Sequence, residues 1–372
     1  MPDFQVKKSL KLLRRIYTRR NKRAFILLTL TQVMIFLTLA SALVIFQTSF
    51  KDYKSSRELV NYTKAKFLAQ SGLEAALLLL RSVPVAQLYQ FGIISHPPPI
   101  PLGDGIVTFE LQEESGKLNI NRLVNFFDGS ENSKTREMLD RLAEALKLRY
   151  EMWDNVVDWV DDNSVKMPQG AERFEYENLI PPRRIKNNRV HSIEELLLIP
   201  GLTYNVLYDD RRTEEEKEED NDDDFESEEE KVVLTDDDYR LINNITIYLP
   251  YNRDSIDTVN INSAPYHVIL ALSEFMTPQI AEKILIARLK NGGRFSDINQ
   301  LATIPQLITT KTTSDNLNLF QDLTGGGDIK NARIDVNDKL YKIVAAASVG
   351  SQTAHVVGVY DSLARKLTHY ME

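Results

Sequence analysis

From Phe25 to Phe46 the chain carries no charged side chain, and nine Lys or Arg side chains precede that run. About 20 apolar residues in a helix span a bilayer, and a basic flank stays on the cytoplasmic side. The pattern predicts one membrane crossing, with residues 47–372 outside the cytoplasm. After Gln47 the periodicity changes. Phe50, Tyr53, Val60, Phe67, Ser71, Ala75 and Leu78 lie three, four or seven apart and share one helical stripe. No Gly or Pro interrupts residues 25–71, Gly72 is isolated, and Pro84 ends the pattern. The spacing predicts one helix over 25–82, roughly 85 Å long at 1.5 Å per residue. Its first half suits lipid. In its second half Phe50, Tyr53, Val60 and Phe67 suit packing against a partner helix.

Beyond a Pro-rich link at 96–101, Val107, Phe109 and Leu111 alternate with polar residues, as a half-buried strand does. Residues 341–349 and 353–360 are rich in β-formers and are joined by Gly350-Ser351-Gln352, which reads as a hairpin. The expectation is a small antiparallel sheet from 102–116 and 332–365, lying on the carboxy half of the long helix. Between these pieces, 117–310 reads as an inserted all-α domain, which makes the fold class α+β. That domain contains a repeat. Leu118-Asn119-Ile120-Asn121 is echoed by Val259-Asn260-Ile261-Asn262, and Leu196-Leu197-Leu198-Ile199-Pro200 by Leu301-Ala302-Thr303-Ile304-Pro305. Ser192 with Glu195 forms a capping box, Thr277-Pro278 opens a helix, and Asn291-Gly292 closes it.

Charge divides the chain into unlike parts. The basic leader, 1–24, carries +8, and the run 209–231 carries −11, leaving −5 of the total of −8 for everything else. Fifteen acids crowded into 209–231 repel one another and bury no core, so that run is expected to be disordered. The mildly acidic remainder does not suit nucleic acid. There is no cysteine, which excludes disulfides, zinc thiolates and a Cys nucleophile. The five histidines are scattered and fall in no catalytic motif, so an enzyme is not expected. Trp153 and Trp159 read as core.

Residues 23–30, Arg-Ala-Phe-Ile-Leu-Leu-Thr-Leu, resemble a prepilin peptidase site with Ala24 before the cut and Phe25 as the new, N-methylated first residue. Ala24 replaces the usual Gly, and Thr29 stands where the fifth mature residue is usually Glu. A buried carboxylate without a partner is costly in lipid, so a subunit at the end of a filament does better with Thr.

Most of the chain resembles the K-type minor pseudopilins of type II secretion systems. The residues that carry the likeness are the Glu-less amino terminus, Ala69-Gln70-Ser71-Gly72-Leu73-Glu74, Ser115-Gly116-Lys117-Leu118-Asn119-Ile120-Asn121, Asp158-Trp159-Val160-Asp161-Asp162, Glu194-Glu195-Leu196 with Ile199-Pro200-Gly201, and Asn260-Ile261-Asn262-Ser263-Ala264-Pro265. The acidic run departs from the family pattern. The resemblance implies a pilin-like scaffold with a large helical domain, held in the inner membrane with its carboxy-terminal domain in the periplasm. It implies a subunit at the tip of the pseudopilus that initiates assembly and acts in protein export across the outer membrane. The implied partners are prepilin peptidase, the I-type and J-type minor pseudopilins and the major pseudopilin. It also implies calcium in the helical domain, where Asp158, Asp161, Asn163 and Glu172 offer the oxygen ligands that Ca²⁺ takes. The alternative is a membrane-anchored helix-hairpin-helix protein that grips DNA backbone in a DNA-uptake or pilus system. Its turn would be Ser273–Pro278, which lacks Gly and carries Glu274.

Overall fold

The computed structural model describes residues 3–94, 97–125, 127–217, 232–251, 257–312 and 317–371, with side chains from Lys22 onward except that of Arg23. Helix α1 is a single rod, Asp3–Ser82, longer at its amino end than the apolar pattern alone predicts. The short α2, Val85–Gln90, turns the chain back after Pro84.

Five strands follow one another as an antiparallel meander: β1 (Ile100–Leu102), β2 (Gly105–Glu113), β3 (Leu340–Val349), β4 (Gln352–Asp361) and β5 (Lys366–Met371). β2 pairs with β3 from Gly105↔Val349 to Glu113↔Tyr341, so Val107, Phe109 and Leu111 all point inward as their alternation predicts. The β3–β4 turn is tight, and Gly350 takes a φ of +61° there that a side chain would strain. The inner face of the sheet lies on α1 through Ala65, Ala69, Leu73, Ala76, Leu77 and Leu80. Small residues bring the rod close. A Cβ on Gly72 would stand 2.5 Å from Val107 Cγ1, so only Gly fits this crossing. β1 and β5 flank the strands that the sequence pattern predicts and extend the sheet at both edges.

Between β2 and β3 the chain makes a helical head built as two copies of one unit. In the first copy, Leu118–Asn119 pairs in parallel with Ile245–Thr246; in the second, Val259–Asn260 pairs in parallel with Ile334–Asp335. The first copy contains α3 (Ser133–Ala145), α4 (Met152–Val160), α5 (Arg173–Glu177), a 3-10 turn (Ile193–Leu198), α6 (Tyr204–Tyr208) and α7 (Leu241–Asn244). The second contains α8 (Tyr266–Ala271), α9 (Pro278–Lys290), a 3-10 turn (Ile298–Thr303), α10 (Pro305–Thr309) and α11 (Leu319–Thr324). The head thus runs past 310 and closes only at Asp335.

The sequence repeat has a physical cause. Asn121 accepts from Val190 N at 2.8 Å and donates to Val190 O and Ile247 O at 2.8 and 2.7 Å. Asn262 accepts from Phe295 N at 2.6 Å and donates to Phe295 O and Val336 O at 3.0 and 3.2 Å. Each Asn closes its own copy by replacing a rung of backbone pairing, which an apolar side chain cannot do. Two residues earlier, Asn119 and Asn260 accept from the Asn121 and Asn262 amides, each at 3.0 Å. Leu196 and Ile199 in one copy, and Leu301 and Ile304 in the other, fill one continuous core. Both tryptophans sit in that core, with Trp153 Nε1 donating to Leu139 O at 3.0 Å and Trp159 Nε1 to Glu195 Oε1 at 2.8 Å.

Local stop and start signals hold with one exception. Thr277 Oγ1 accepts from Ile280 N, and α9 ends before Asn291. Ser192 Oγ accepts from Glu195 N, but Glu195 caps His191 N and Lys186 rather than Ser192 N, and the element that follows is a 3-10 turn. The acidic run also differs from expectation over its first part. Residues 209–217 are held by charge pairing, because Arg212 binds Asp210 and Asp236 at 2.8 Å each and lies 3.5 Å over the Tyr239 ring. Residues 218–231 lie outside the described residues.

Candidate functional site

Three regions hold the residues singled out above. The first is the apolar half of α1. Phe25 and most of the side chains to Phe46 are exposed, and among the described residues nothing covers their hydrophobic window. One helix here is long and apolar enough to cross a membrane. Thr29 Oγ1 hydrogen-bonds to Phe25 O at 3.0 Å and Ile26 O at 2.9 Å. The helix satisfies that hydroxyl internally, so Thr29 costs little in lipid where a carboxylate would cost much.

The second region is an exposed apolar stripe of α1, which runs past the end of the sheet and, at Phe67, lies on the side away from it. Phe50, Tyr53, Val60 and Phe67 are each more than half exposed, while Ala65, Ala69 and Leu73 on the other face are buried. Leu78 continues the exposed stripe. The rod thus has one apolar face on its own sheet and leaves a second one bare.

The third region lies at the end of α4 and in the excursion that follows it. Asp158, Asp161 and Glu172 are all buried. Asp158 Oδ1 accepts from Met167 N at 3.0 Å, and a Cβ on Gly170 would strike Asp158 Oδ2, so the loop folds tightly over this carboxylate. Glu172 caps α5, with Glu175 Oε2 closing the box on Glu172 N at 3.0 Å. Asp161 Oδ1 and Glu172 Oε1 are buried with no hydrogen-bond partner. Burial, with the neighbouring Glu172 and Asp161 charges, pushes Asp158 up to about 6. Burial, with the Glu172 charge, does the same to Asp161, also about 6, and burial raises Glu172. Asn163 is placed differently: it is exposed, its Oδ1 accepts from Val165 N at 2.6 Å, and it hydrogen-bonds to Asp161.

Asp154, one turn before Asp158, is a further buried acid that the sequence pattern did not mark. It is paired, to Arg136 at 2.8 Å and to Gln169 N at 3.0 Å. The contrast is informative, since Asp154 has a cation and, among the described residues, none pairs with the other three acids. Orphaned buried carboxylate oxygens suit a hard divalent ion. Among the described residues, no three His, Cys, Asp or Glu side chains already stand round one point, so backbone oxygens and water would complete any such shell.

The turn weighed for DNA lies between α8 and α9. Ser273 Oγ donates to Asp322 Oδ2 at 2.9 Å, and the turn amides of Phe275 and Met276 bond back to Ser273. Those amides are turned inward, beside acids, and do not form a phosphate cradle.

Residues 116–209, which fall in the first copy of the head and include the 158–172 carboxylates, match the family described as type II secretion system protein K. No curated protein sequence matches the chain. Among solved structures, a chain of the GspK–GspI–GspJ complex from the type 2 secretion system of enterotoxigenic Escherichia coli is similar, with a TM-score of 0.53 and 14% identity over 87% of this chain and 98% of that one. At that identity the likeness speaks for the fold. The two comparisons together bear out the resemblance to the K-type minor pseudopilins and the α+β pilin-like architecture.

Proposed function

We propose that this chain is the K-type minor pseudopilin of a type II secretion pseudopilus, anchored by α1 in the inner membrane with its head in the periplasm, where it occupies the tip and initiates assembly for export across the outer membrane. The observation that carries the reading is the pairing of a bare helical stripe with a large two-copy head inserted between β2 and β3. The stripe suits lateral packing against the I-type and J-type minor pseudopilins, and the major pseudopilin follows below. The head is too bulky to stack within a thin fibre but fits on its end. Leader removal by prepilin peptidase between Ala24 and Phe25 precedes this and leaves an N-methylated Phe25. In pseudopili assembled with a gold-labelled head, we expect one label at one end, on subunits whose mass-mapped amino terminus is methyl-Phe25. Labels repeated along the shaft, or an intact leader, would overturn the reading.

A calcium ion in the first copy of the head would draw on the orphaned Asp161 and Glu172 oxygens beside Asp158, with backbone oxygens and water completing its shell, and would supply the counter-charge that Asp154 receives from Arg136. A raised carboxylate pKa means that the folded protein holds protons the unfolded chain does not. Without metal, these acids therefore lower stability as pH rises through the window from about 4 to about 6. Calcium at pH 7.5 is expected to stabilise the full chain in detergent by about 2.7 kcal/mol at 100-fold excess over Kd, read as a higher melting temperature. At pH 5 protons compete and the shift shrinks. Equal melting with calcium and with chelator at pH 7.5 would remove the ion from the proposal.

A further inference from the structure

The second copy of the head meets the scaffold at a buried polar joint. Glu113, the last residue of β2, lies at its centre. Its Oε2 accepts from Gly116 N at 3.2 Å and from the Ser263 hydroxyl. Its Oε1 is buried and has no hydrogen-bond partner. Tyr341, in register with Glu113 on β3, has an unpartnered buried hydroxyl as well, and the Nη1 of Arg294 is in the same state. The packing leaves no slack: a Cβ on Gly116 would collide with the Ser263 backbone.

Several charged or titratable groups lie round this joint. Tyr89 comes from α2, with Arg294 5.1 Å over its ring. Asp338 comes from the segment leading into β3 and is bound to Arg294 at 2.7 Å and to Asn260 at 2.8 Å. Arg288 comes from α9 and is spent on Ile261 O and Ala264 O. Lys339 is spent on Asp335 and Thr258. Among the described residues no cation is hydrogen-bonded to Glu113, and the Asp338 charge, which raises its pKa, has the same sign.

We propose that this joint is a proton-operated latch, in which neutral Glu113 lets the second copy of the head clamp onto the end of β2, and ionised Glu113 loosens that clamp. The ionised form puts a charge on a buried oxygen that has no hydrogen-bond partner, in the field of the Asp338 charge. The neutral form carries one hydroxyl, which a carboxyl can turn towards the free Tyr341 oxygen. Burial pushes Glu113 up to about 7, and Asp338 adds to the rise, although bonds from Ser115 and Ser263 oppose it. Burial also raises Tyr89 and Tyr341, so both stay neutral. The closed joint therefore takes up a proton: closure is favoured as pH falls through about 7 and opposed as it rises.

The absence of cysteine makes the test direct. Spin labels on Ser351→Cys in the β3–β4 turn and Gln279→Cys in α9, both exposed sites, report the joint in the full chain in detergent. Pulsed dipolar spectroscopy should give a narrow distance distribution at pH 6 that broadens by pH 8.5. Glu113→Gln keeps the neutral shape and should stay narrow at both. Ser263→Ala removes a donor to the ionised carboxylate and should move the midpoint to higher pH. A wild-type distribution that ignores pH, or a Glu113→Gln variant that still broadens with it, overturns the latch. Should Glu113→Gln fail to fold, an unmoved midpoint in Ser263→Ala is enough to overturn it.

Discussion

Asn121→Leu should lower the stability of the head by about 4 kcal/mol, since it strands three buried backbone groups that cost roughly 1–3 kcal/mol each. Those groups are Val190 N, Val190 O and Ile247 O, all served by one side chain. Leucine is near in size but offers no donor and no acceptor. The readout is at hand, because both tryptophans lie in the first copy and report its unfolding in urea. Asn262→Leu removes the matching set in the second copy and should cost a similar amount. It should also shift the tryptophan transition, because the two copies share one core. A loss under about 1 kcal/mol for either variant would show that water readily replaces the side chain, contrary to the burial observed.

Phe67→Glu should leave the isolated chain folded and abolish its capture by the I-type partner. Phe67 is 65% exposed on the face of α1 away from the sheet, so nothing within the chain depends on it. In a helix-to-helix contact the same position would be buried. Burying a phenylalanine contributes about 2 kcal/mol, and an unpaired carboxylate in its place adds several kcal/mol of desolvation cost. The sum corresponds to a loss of more than roughly 100-fold in affinity. A co-purification with the I-type subunit measures it. Unchanged recovery would mean that the stripe 50–67 is not the contact.

Much of this was legible in the chain because the strongest patterns are the ones that packing obeys. The rod, the alternation of Val107, Phe109 and Leu111, and the hairpin at Gly350 follow from periodicity and turn chemistry alone. The Asn-Ile-Asn repeat was visible as letters. Its meaning, a side chain standing in for a strand, required the loops that it bonds to, tens of residues away. β5 is silent in the sequence because neither of its faces is buried, so no period-two signal marks it. The end of the head lies beyond the expected boundary because its closing strand is only two residues long. At the carboxylates, Asp158, Asp161 and Glu172 could be picked out by type and spacing, whereas the pairing of Asp154 with Arg136 joins two helices and leaves no local trace. Asn163 has the right chemistry for a ligand, but its short side chain is drawn into its own turn.

The head leaves the sheet at Glu113 and re-enters it at Tyr341, and these two residues face each other across neighbouring strands. A tug on the head therefore arrives on two adjacent strands together and in the same direction. The rungs between those strands bear little of the load; it passes outward to β1, β4 and α1 as shear, the direction in which a hydrogen-bonded ladder is hardest to break. The same doorway geometry makes the head a removable cassette, since a short turn from 113 to 341 would close the sheet without it.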